Sequence, residues 1–410
     1  MMFLKPFSRC LVTLLLVALG VGPAFGLGPS ESARTPVPYP SAVGSNLQVP
    51  TALHDCAWQD PVLTQDTTLV AGCRYHVSFQ IVRPLTLNCQ GAVLEGDGRR
   101  VAAVYVNSRG QVLRNVTVRN CVIEHYKGSG LTVGWAAYQD EKRRLHSPQE
   151  QRALTPSEVL LENLLVQDID GAGLFIGDYT TDVIIDHVTL QRIAQVGIYF
   201  EEGGVGHVLK NSVLRDGGFA SNQPALAIDA SGPHEVFNNV FEHFSLAGVS
   251  LYRNCWEQAA TNPHSMQRLQ GATGNYIHDN AFTDLPVGVW VASRMSRDVR
   301  LMGCGLPDYD TDGLHRYVLD DAKRNIVRHN RFERILQHGV IVEDDDNAVT
   351  DNVFVDATQP SIAVGAPRRA RMLHRPVSGT VLEGNSVQPP VPGVPLVETE
   401  DRPHLVSVPQ

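Results

Sequence analysis

The 410-residue chain lacks the short motifs that mark several common enzyme classes. It contains no C-x-x-C pair, no glycine-rich phosphate loop, no G-x-S-x-G elbow and no H-E-x-x-H segment. Their absence argues against a zinc ribbon, a thioredoxin-like site, a phosphate-binding loop, an α/β-hydrolase nucleophile and a zinc metallopeptidase. Any chemistry must therefore come from residues that the fold brings together from distant parts of the sequence.

The chain also lacks a membrane-length apolar run outside its first residues. Residues 1–26 combine a positive start, Lys5 and Arg9, with an apolar run that is short for a membrane span, and they end in the small residues Ala24 and Gly26. We interpret this segment as a cleaved secretory signal peptide. The mature protein is therefore expected to be secreted or periplasmic, with no membrane anchor.

Basic residues are outnumbered by acidic ones. The sequence has 34 Lys and Arg against 43 Asp and Glu, a formal charge of −9 that becomes −11 once Lys5 and Arg9 leave with the signal peptide. An acidic exported protein is a poor general binder of nucleic acid, so we expect no nucleic-acid partner. A local basic cleft can still hold an acidic substrate, and net charge does not exclude one.

Cysteine is scarce, but its count is informative. Seven cysteines are present, and six remain after the signal peptide. An even number in an exported chain indicates disulfides. We expect Cys56–Cys73 near the amino terminus and Cys255–Cys304 between two long loops. Cys89 and Cys121 end similar strand segments and are expected to stack or pair on neighbouring coils.

An asparagine with apolar flanks recurs along the chain. It lies in the segments LLENLL, VLKNSV, VFNNVF, IHDNAF, VRHNRF, VTDNVF and LEGNSV, as Asn163, Asn211, Asn239, Asn280, Asn330, Asn352 and Asn385, and His187 takes its place in one copy. The period from Asn163 through His187 to Asn211 is about 24 residues, the length of one coil in a parallel β-solenoid. Inward asparagines on successive coils can bond one another, which satisfies their buried amides. Ordinary turn asparagines are the alternative.

The pattern divides the chain into segments. We predict a signal peptide at 1–26, a Pro-, Ser- and Gly-rich linker at 27–50, an N-terminal cap at 51–84, the coils at 85–388 and a Pro-rich tail at 389–410.

A second strand follows each asparagine strand, in the segments GLTVGW, GLFIGD, GIYFEE, ALAIDA, GVSLYR, GVWVAS, GVIVED and SIAVGA. Period-two alternation places the second and fourth residues inward and the third and fifth outward. Because coils stack ~4.8 Å apart, the outward residues form columns. The fifth column is Gly177, Glu201, Asp229, Tyr252, Ala292 and Glu343, and the third is Phe175, Tyr199, Ala227, Ser250, Trp290 and Ile341. We expect Tyr199, Trp290 and Glu343 to contact a sugar chain.

Three long insertions follow this strand, at 136–157, 254–274 and 293–324. Insertions on one edge of a repeat protein usually form its binding face, and these would wall a groove above the columns. They carry the basic residues Lys142, Arg143, Arg144, His264, Arg268, Arg294, Arg297 and His315. Basic walls above an acidic floor predict an anionic polysaccharide as the partner.

Residues for acid–base chemistry on a uronate can be proposed from the same pattern. Tyr252 or His264 is expected to abstract the proton on the carbon next to the uronate carboxylate. Arg253, with Arg294 or Arg268, is expected to neutralise that carboxylate. Expulsion of the 4-oxygen would then give β-elimination, and reprotonation from the opposite face would give epimerisation.

The acidic part of the fifth column allows other interpretations. Asp178, Glu201 and Asp229 are candidate calcium ligands. Glu201 and Asp229 are also a candidate carboxylate pair of a glycosidase. A third interpretation is a non-catalytic accessory or polysaccharide-binding protein.

The asparagine segments and the second strands, over about 300 residues, resemble the right-handed parallel β-helix proteins of the pectate-lyase-like class. The resemblance is to the repeat group that includes mannuronan C5-epimerases, alginate lyases and periplasmic accessory proteins of the nitrous-oxide-reductase maturation type. It implies an all-β, single-stranded right-handed parallel β-helix with an N-terminal cap and long loops on one edge. It also implies an exported polysaccharide lyase or uronan C5-epimerase. The chain lacks the Asp-Pro-His-Asp stretch of the epimerases and the Asn-Thr-Asp signature of polygalacturonases.

Overall fold

The structure is a computed structural model that describes residues 37, 39–40, 44–137, 142, 146–305, 309–311, 316–400 and 404–406. The predicted signal peptide at 1–26, much of the predicted linker, and the loop residues Arg143, Arg144 and His315 lie outside the described residues.

The chain winds into a right-handed parallel β-helix, as the sequence predicts, and the stacked strands form three parallel sheets, of which the first two are joined by long strands. Sheet 1 contains Thr67–Thr68, Leu85–Asn88, Val116–Arg119, Ser157–Ile169, Thr181–Ile193, Val208–Lys210, Glu235–Phe237, Tyr276–His278, Ile326–Arg328, Ala348–Thr350, Ser378–Glu383 and His404–Val406. Sheet 2 contains His54–Asp55, Cys73–Tyr75, Val93–Glu95, Val122–Glu124, Val213–Gly217, Val240–Phe244, Ala281–Thr283, Arg331–Glu333, Val353–Val355 and Ser386–Gln388. Ser157–Ile169 and Thr181–Ile193 are long enough to run through both sheets.

Sheet 3 holds the predicted second strands. It contains Val62–Leu63, Phe79–Ile81, Ala102–Asn107, Ser129–Gly134, Ala172–Ile176, Ile198–Phe200, Leu226–Asp229, Ala247–Tyr252, Val287–Val291, His338–Val342, Ile362–Val364 and Val397–Thr399. Each strand pairs in parallel with its counterpart in the next coil, so residues far apart in sequence become neighbours on one face.

Few other elements occur in the described part of the chain. They are the α-helices Pro148–Leu154 and Pro367–Leu373, the 3₁₀ turn Arg300–Met302 and the antiparallel hairpin of Tyr309–Thr311 with Arg316–Val318. The first helix begins at Ser147, whose hydroxyl accepts from the Glu150 amide while the Glu150 carboxylate accepts from the Ser147 amide. Within the described ranges, no helix is long and apolar enough to cross a bilayer.

The core is a continuous column of apolar side chains inside the coils. The inward residues predicted for sheet 3, such as Leu174 and Ile198, have no exposed surface. In sheet 2, Phe241, Phe282, Phe332 and Phe354 stack in sequence with centroid separations of 4.9, 4.8 and 5.0 Å. Each ring pair adds about 0.5–1.5 kcal/mol beyond the burial of its area.

The predicted asparagine ladder is confirmed in the later coils. It consists of Asn239, Asn280, Asn330, Asn352 and Asn385, which lie between sheets 1 and 2. Each side-chain amide donates to the Oδ1 of the next member at 2.9–3.1 Å. The same Oδ1 also accepts the backbone amide of the preceding asparagine, so each rung is tied to its neighbour twice.

The assignment of Asn163 and Asn211 to this ladder is wrong by one residue. Both lie at the preceding turn position in the left-handed conformation, with φ of 49° and 51°, and their amides bond to neighbouring turns outside the core. Leu164 and Ser212 take the inward position in their coils, and both are fully buried. His187 has the same turn conformation, with φ of 52°. Asparagine suits both positions, because it tolerates positive φ at the turn and because its side-chain amide can form all its hydrogen bonds within a ladder.

A second ladder runs between sheets 3 and 1. Its members are His207, His234, Asn275, Asn325 and Asn347. The two histidine rings stack 4.5 Å apart, and His234 Nδ1 accepts the His207 backbone amide. From Asn275 onward, the amide-to-Oδ1 bonds repeat those of the first ladder at 3.0 and 3.1 Å.

The coils extend further in both directions than the sequence suggests. Within the predicted cap, strand His54–Asp55 pairs in parallel with Cys73–Tyr75, so this segment already forms the first coil. Within the predicted tail, Val397–Thr399 pairs with Ile362–Val364. The end of the predicted linker is also bound to the coils, since Ser45 donates to Asn163 Oδ1 at 2.9 Å.

The described part of the chain contains three disulfides, and each joins two cysteines that the sequence analysis placed together. Cys56–Cys73 and Cys255–Cys304 are confirmed, and Cys89 and Cys121 pair across neighbouring coils rather than merely stacking.

Removal of one ladder amide should destabilise the coil far more than removal of a turn amide. Asn330 donates to Asn352 Oδ1 and to the Ile277 carbonyl, and it accepts from Asn280. Asn330→Ala is expected to lower the free energy of unfolding by about 1–3 kcal/mol for each partner left unsatisfied. Urea unfolding measures this, with Asn163→Ala as the matched control. Equal losses in the two variants would contradict the ladder.

The histidine pair should make the fold sensitive to acid. Burial lowers the pKa of His207 to about 3, and burial followed by repulsion from His207 lowers the pKa of His234. The unfolded chain takes up these protons below about pH 6.5 and the folded chain does not. Stability is therefore complete above that pH, and it falls as pH drops through the window between about 6.5 and 3, by about 1.4 kcal/mol per pH unit and histidine.

The variant His207→Asn/His234→Asn tests this effect, because asparagine continues the ladder from Asn275. Urea midpoints at about pH 7.5 and about pH 5 should draw together in the variant relative to the unmodified chain. Identical pH dependence in both proteins would show that the buried histidines are not responsible.

Candidate functional site

The predicted columns on the outer face of sheet 3 are present. Phe175, Tyr199, Ala227, Ser250, Trp290 and Ile341 are register partners on six successive coils. In the fifth column, Asp229 and Tyr252 are also register partners. The alternation of inward and outward residues along each strand therefore predicted correctly which side chains share this face.

The columns are not an open floor, however. Asp229 has no exposed surface, and Tyr252 and Glu343 are only 2% and 3% exposed. The expectation that these residues face solvent is wrong, because side chains and backbone of the loops 254–274 and 293–324 cover them.

Asp229 is the residue to which the first of these loops is fastened. Its Oδ1 accepts the Asn254 backbone amide at 2.8 Å, and its Oδ2 accepts the Asn254 side-chain amide at 2.8 Å. Oδ2 also accepts from the Tyr199 hydroxyl at 2.5 Å and from Arg268 at 3.2 Å. With both oxygens occupied and no access to water, Asp229 is a positioning residue rather than half of a glycosidase pair.

Arg268 supplies the positive charge for the acidic patch. Its guanidinium lies 3.2 Å from Asp229, 3.5 Å from Glu201 and 3.7 Å from Glu202. Charge–charge attraction to these carboxylates raises the pKa of Arg268 well above its usual value despite the opposing effect of burial. We therefore assign Arg268 to loop docking and not to substrate binding.

The predicted calcium ligands are already paired with cations. Lys142 Nζ lies 2.7 Å from Asp178 Oδ1, with both side chains buried, and Arg268 faces Glu201 and Asp229. In the described parts of the chain, two other groups bring three potential ligand atoms within 4.8 Å of one another. They are His54, Cys56 and Cys73, whose cysteines form a disulfide, and Glu95, Glu124 and His125 on sheet 2. The geometry of the sheet 3 site does not favour calcium.

An open cavity of about 660 Å³ lies between sheet 3 and the two loops, and we call it the arginine cavity. Its lining includes Tyr199, Tyr252, Glu257, Arg294 and Arg297. The Arg294 guanidinium stacks on the Tyr252 ring at 3.9 Å, and its Nε donates to Asn254 Oδ1 at 2.6 Å.

Neither Arg294 nor Arg297 forms an ion pair within the described residues. No carboxylate of the described residues lies within 4.0 Å of the guanidinium of Arg294 or Arg297. Burial opposes the charge of Arg294, but longer-range attraction to Tyr252, Asp229 and Glu257 outweighs burial and raises the pKa of Arg294. Burial, and then repulsion from Arg294, lowers the pKa of Arg297 to about 10. Two neighbouring, partly desolvated positive charges favour the binding of an anion.

Glu257 is the functional candidate that the sequence did not reveal. It lines the arginine cavity and also a neighbouring cavity of about 340 Å³ that includes Glu201, His264 and Arg268. Burial, followed by repulsion from Asp229, raises the pKa of Glu257. Among the described residues, no hydrogen-bond donor or cation is bonded to its carboxylate. Its position two residues after Cys255, in a predicted wall of the groove, was the only available signal.

Some predicted site residues are elsewhere. Arg253 donates from its guanidinium to the Leu319 carbonyl at 2.8 Å and from its backbone amide to Asp320, so it secures the loop 293–324. Trp290 packs in a separate apolar cluster with Ile341. Glu343 accepts from Ser296, and burial raises its pKa to about 8. Of the predicted residues, Tyr199, Tyr252 and Arg294 are brought together at the arginine cavity, with Glu201 and His264 beside it.

Neutralising Asp229 should release the loop that covers the site. Asp229→Asn keeps the size of the side chain but leaves Arg268 without one buried charge partner, and a broken buried ion pair typically costs about 3–5 kcal/mol. Hydrogen exchange of backbone amides in residues 254–274 is expected to accelerate. Asp216→Asn, at an exposed position of strand Val213–Gly217 in sheet 2, is the control and should leave this loop unchanged. Unaltered exchange in the Asp229 variant would refute the anchoring role.

No protein-family model and no curated protein matches the chain. Among solved structures, the chain is similar to the catalytic domain of a GH87 α-1,3-glucanase, at 11% identity over 92% of this chain and 70% of that one, with a TM-score of 0.47. It is also similar to the A-module of a mannuronan C-5 epimerase of Azotobacter vinelandii, at 12% identity over 83% of each chain, with a TM-score of 0.42. PfbA, a surface adhesin of Streptococcus pneumoniae, is similar at 12% identity over 77% of each chain, with a TM-score of 0.42. With values this low, the fold assignment rests on the strand pairing described above, and no activity is transferred from these structures.

Proposed function

We propose that the chain is an enzyme that acts on an anionic, uronate-containing polysaccharide at the arginine cavity, by β-elimination or C5-epimerisation. One observation carries the proposal. Arg294 and Arg297 lie in the same cavity as Tyr252 and Glu257, and within the described chain neither arginine is ion-paired and the Glu257 carboxylate has no bonded donor. This combination provides an anion site beside an acid and a base.

The arginines would bind the uronate carboxylate. A guanidinium presents a planar set of donors that matches the two carboxylate oxygens. As the proton on C5 leaves, negative charge spreads into the carboxylate, and fixed positive charge in a partly desolvated cavity stabilises it there. Arg294 is held for this task by its stacking on Tyr252 and by Asn254.

Glu257 would be the base and Tyr252 the proton donor. Burial raises the pKa of Glu257, which makes its ionised form a stronger base, and burial also raises the pKa of Tyr252, which keeps the phenol protonated. Glu257 removes the C5 proton. In β-elimination, the electron pair forms a C4=C5 double bond as the C4–O4 bond breaks, and O4 takes the Tyr252 proton. In epimerisation, C5 takes the Tyr252 proton on the face opposite to Glu257, and the C4–O4 bond stays intact.

The floor of the cavity suits a sugar ring. Phe175 and Tyr199 stack with centroids 5.4 Å apart and planes 9° apart, and both are half-buried. The Tyr199 hydroxyl is held by Asp229, so the orientation of its ring is fixed. The stacked pair gives this part of the cavity an apolar surface against which the C–H groups of a pyranose would pack while its hydroxyls reach polar side chains.

A glycoside hydrolase is the second candidate. Glu201 and Glu257 line one cavity of about 340 Å³, and burial raises the pKa of Glu201 to about 7, which suits a general acid. Arg268 lies only 3.5 Å from Glu201 and stabilises its ionised form, which favours the first candidate.

Activity on a panel of polyuronates and neutral polysaccharides tests the proposal. We expect an unsaturated, ultraviolet-absorbing product if the reaction is β-elimination, or uptake of solvent deuterium into a polysaccharide of unchanged length if it is epimerisation.

Glu257→Gln should lower kcat by about 10²–10⁴-fold, because it removes the base. Arg294→Gln should raise KM and lower kcat together. Activity should rise with pH through a pKa above the usual carboxyl range, since Glu257 acts in its ionised form.

Matched controls are Glu235→Gln and Arg328→Gln on the outer face of sheet 1. New reducing ends without an unsaturated product would favour the hydrolase. Polyuronate binding without turnover would favour a non-catalytic polysaccharide-binding protein. Full activity in Glu257→Gln would rule out the assigned base.

A further inference from the structure

A smaller cavity of about 180 Å³ opens on sheet 3 on the amino-terminal side of the arginine cavity. The rings of Tyr105, Trp135 and Phe175 line it, and all three are half-buried. Tyr105 and Phe175 belong to the third column, with Thr132 between them. Aromatic surface thus continues along this face beyond the proposed reaction site. We call this space the aromatic cavity.

Two glycines keep the aromatic cavity open. Gly134 and Gly177 occupy the fifth column on neighbouring coils, where the following coils carry Glu201 and Asp229. A Cβ atom added at Gly134 would lie 3.7 Å from the nearest atom, the Gly177 Cα, which is an ordinary contact. The backbone therefore does not require glycine at residue 134. The missing side chain leaves room above the sheet.

The charge of the aromatic cavity differs from that of the arginine cavity. Its one cation among the described lining residues, Lys142, is buried and paired with Asp178 at 2.7 Å. Glu201 lies at its edge, and the Asp178 backbone amide donates to it at 3.2 Å. Among the lining residues that the structure describes, a carboxylate entering this cavity would meet the acids Asp178 and Glu201 and no unpaired cation. An uncharged sugar ring would meet aromatic side chains and oxygen atoms that can accept hydrogen bonds from its hydroxyl groups.

The two cavities are neighbours on sheet 3 and share one wall. Phe175 lines both, and the coil that carries it is three coils away from the one that carries Tyr252. At ~4.8 Å per coil, the separation is roughly 14 Å. A single extended sugar chain lying along sheet 3 can therefore occupy both cavities.

We propose that the aromatic cavity is a binding subsite for an uncharged sugar residue of the same polymer, and that the substrate class is a polysaccharide in which neutral residues accompany uronates. The proposal rests on the proposed function, because it places the uronate in the arginine cavity. It makes Gly134 and Trp135 residues that determine specificity without a role in the acid–base step.

Carboxyl reduction provides matched probes. Alginate and polygalacturonate can be reduced so that a minority of their uronates become neutral hexoses, with linkage and length unchanged. Binding is measured with the Glu257→Gln protein, which keeps the polymer intact. Partly reduced polymer should bind on the order of tenfold more tightly than its unreduced parent, the gain expected from burying one largely apolar ring face.

Variants of the aromatic cavity should remove this gain selectively. Gly134→Leu fills the space, and Trp135→Ala removes one wall. Both are expected to bind the unreduced uronan as before and to lose the tenfold preference. Phe237→Ala is the control, because its ring stacks on His278 on the outer face of sheet 1. Thermal melting confirms that each variant is folded.

The outcomes separate the two proposals. If the unreduced uronan binds as tightly as the partly reduced polymer, or if Gly134→Leu keeps the preference, the neutral subsite is refuted and the proposed function stands. If no uronan binds, or if Arg294→Gln leaves uronan binding unchanged, the proposed function fails and the neutral subsite loses its basis.

Discussion

The amide hydrogen bonds that link one coil to the next are the constraint on which the rest of the structure depends. A buried side-chain amide without partners costs about 1–3 kcal/mol, so Asn280 and Asn330 are tolerated only when the coils above and below are in register. A slip of one residue would turn every side chain of a strand to the other face. The ladders thus fix which residues of sheet 3 become neighbours, and with them the composition of the site.

The site itself is completed by loops that pack on this ordered face. Asp229 binds Asn254 and Arg268, and the disulfide Cys255–Cys304 joins the two loops on either side of the cavity. Asp320 accepts the backbone amide of Arg294, so the second loop is secured in the same way. Asp229, which the sequence analysis treats as a catalytic candidate, instead anchors a loop. The loops in turn carry Glu257, Arg294 and Arg297, the groups proposed to act on the substrate. This division explains why, within the described residues, the arginines of the cavity form no ion pair.

Features that depend on neighbouring residues in the sequence could be predicted, and features that depend on contacts between distant residues could not. Alternation along a strand is local, so the third column from Phe175 to Ile341 could be predicted in full. The ladder was misplaced at Asn163 because adjacent positions of one turn both favour asparagine. The burial of Asp229 depends on Arg268, 39 residues away, and no local pattern encodes that contact. Glu257 was missed for the same reason, because its environment exists only after the loop has docked.

The central claim is that the arginine cavity holds a uronate with its carboxylate between two guanidinium groups. A crystal structure of the Glu257→Gln protein soaked with an oligouronate tests this most directly. The account predicts a sugar chain along sheet 3 with one carboxylate within hydrogen-bond distance of Arg294 and Arg297. An oligouronate bound on sheet 1 or sheet 2, or one whose carboxylates avoid both arginines, would contradict it.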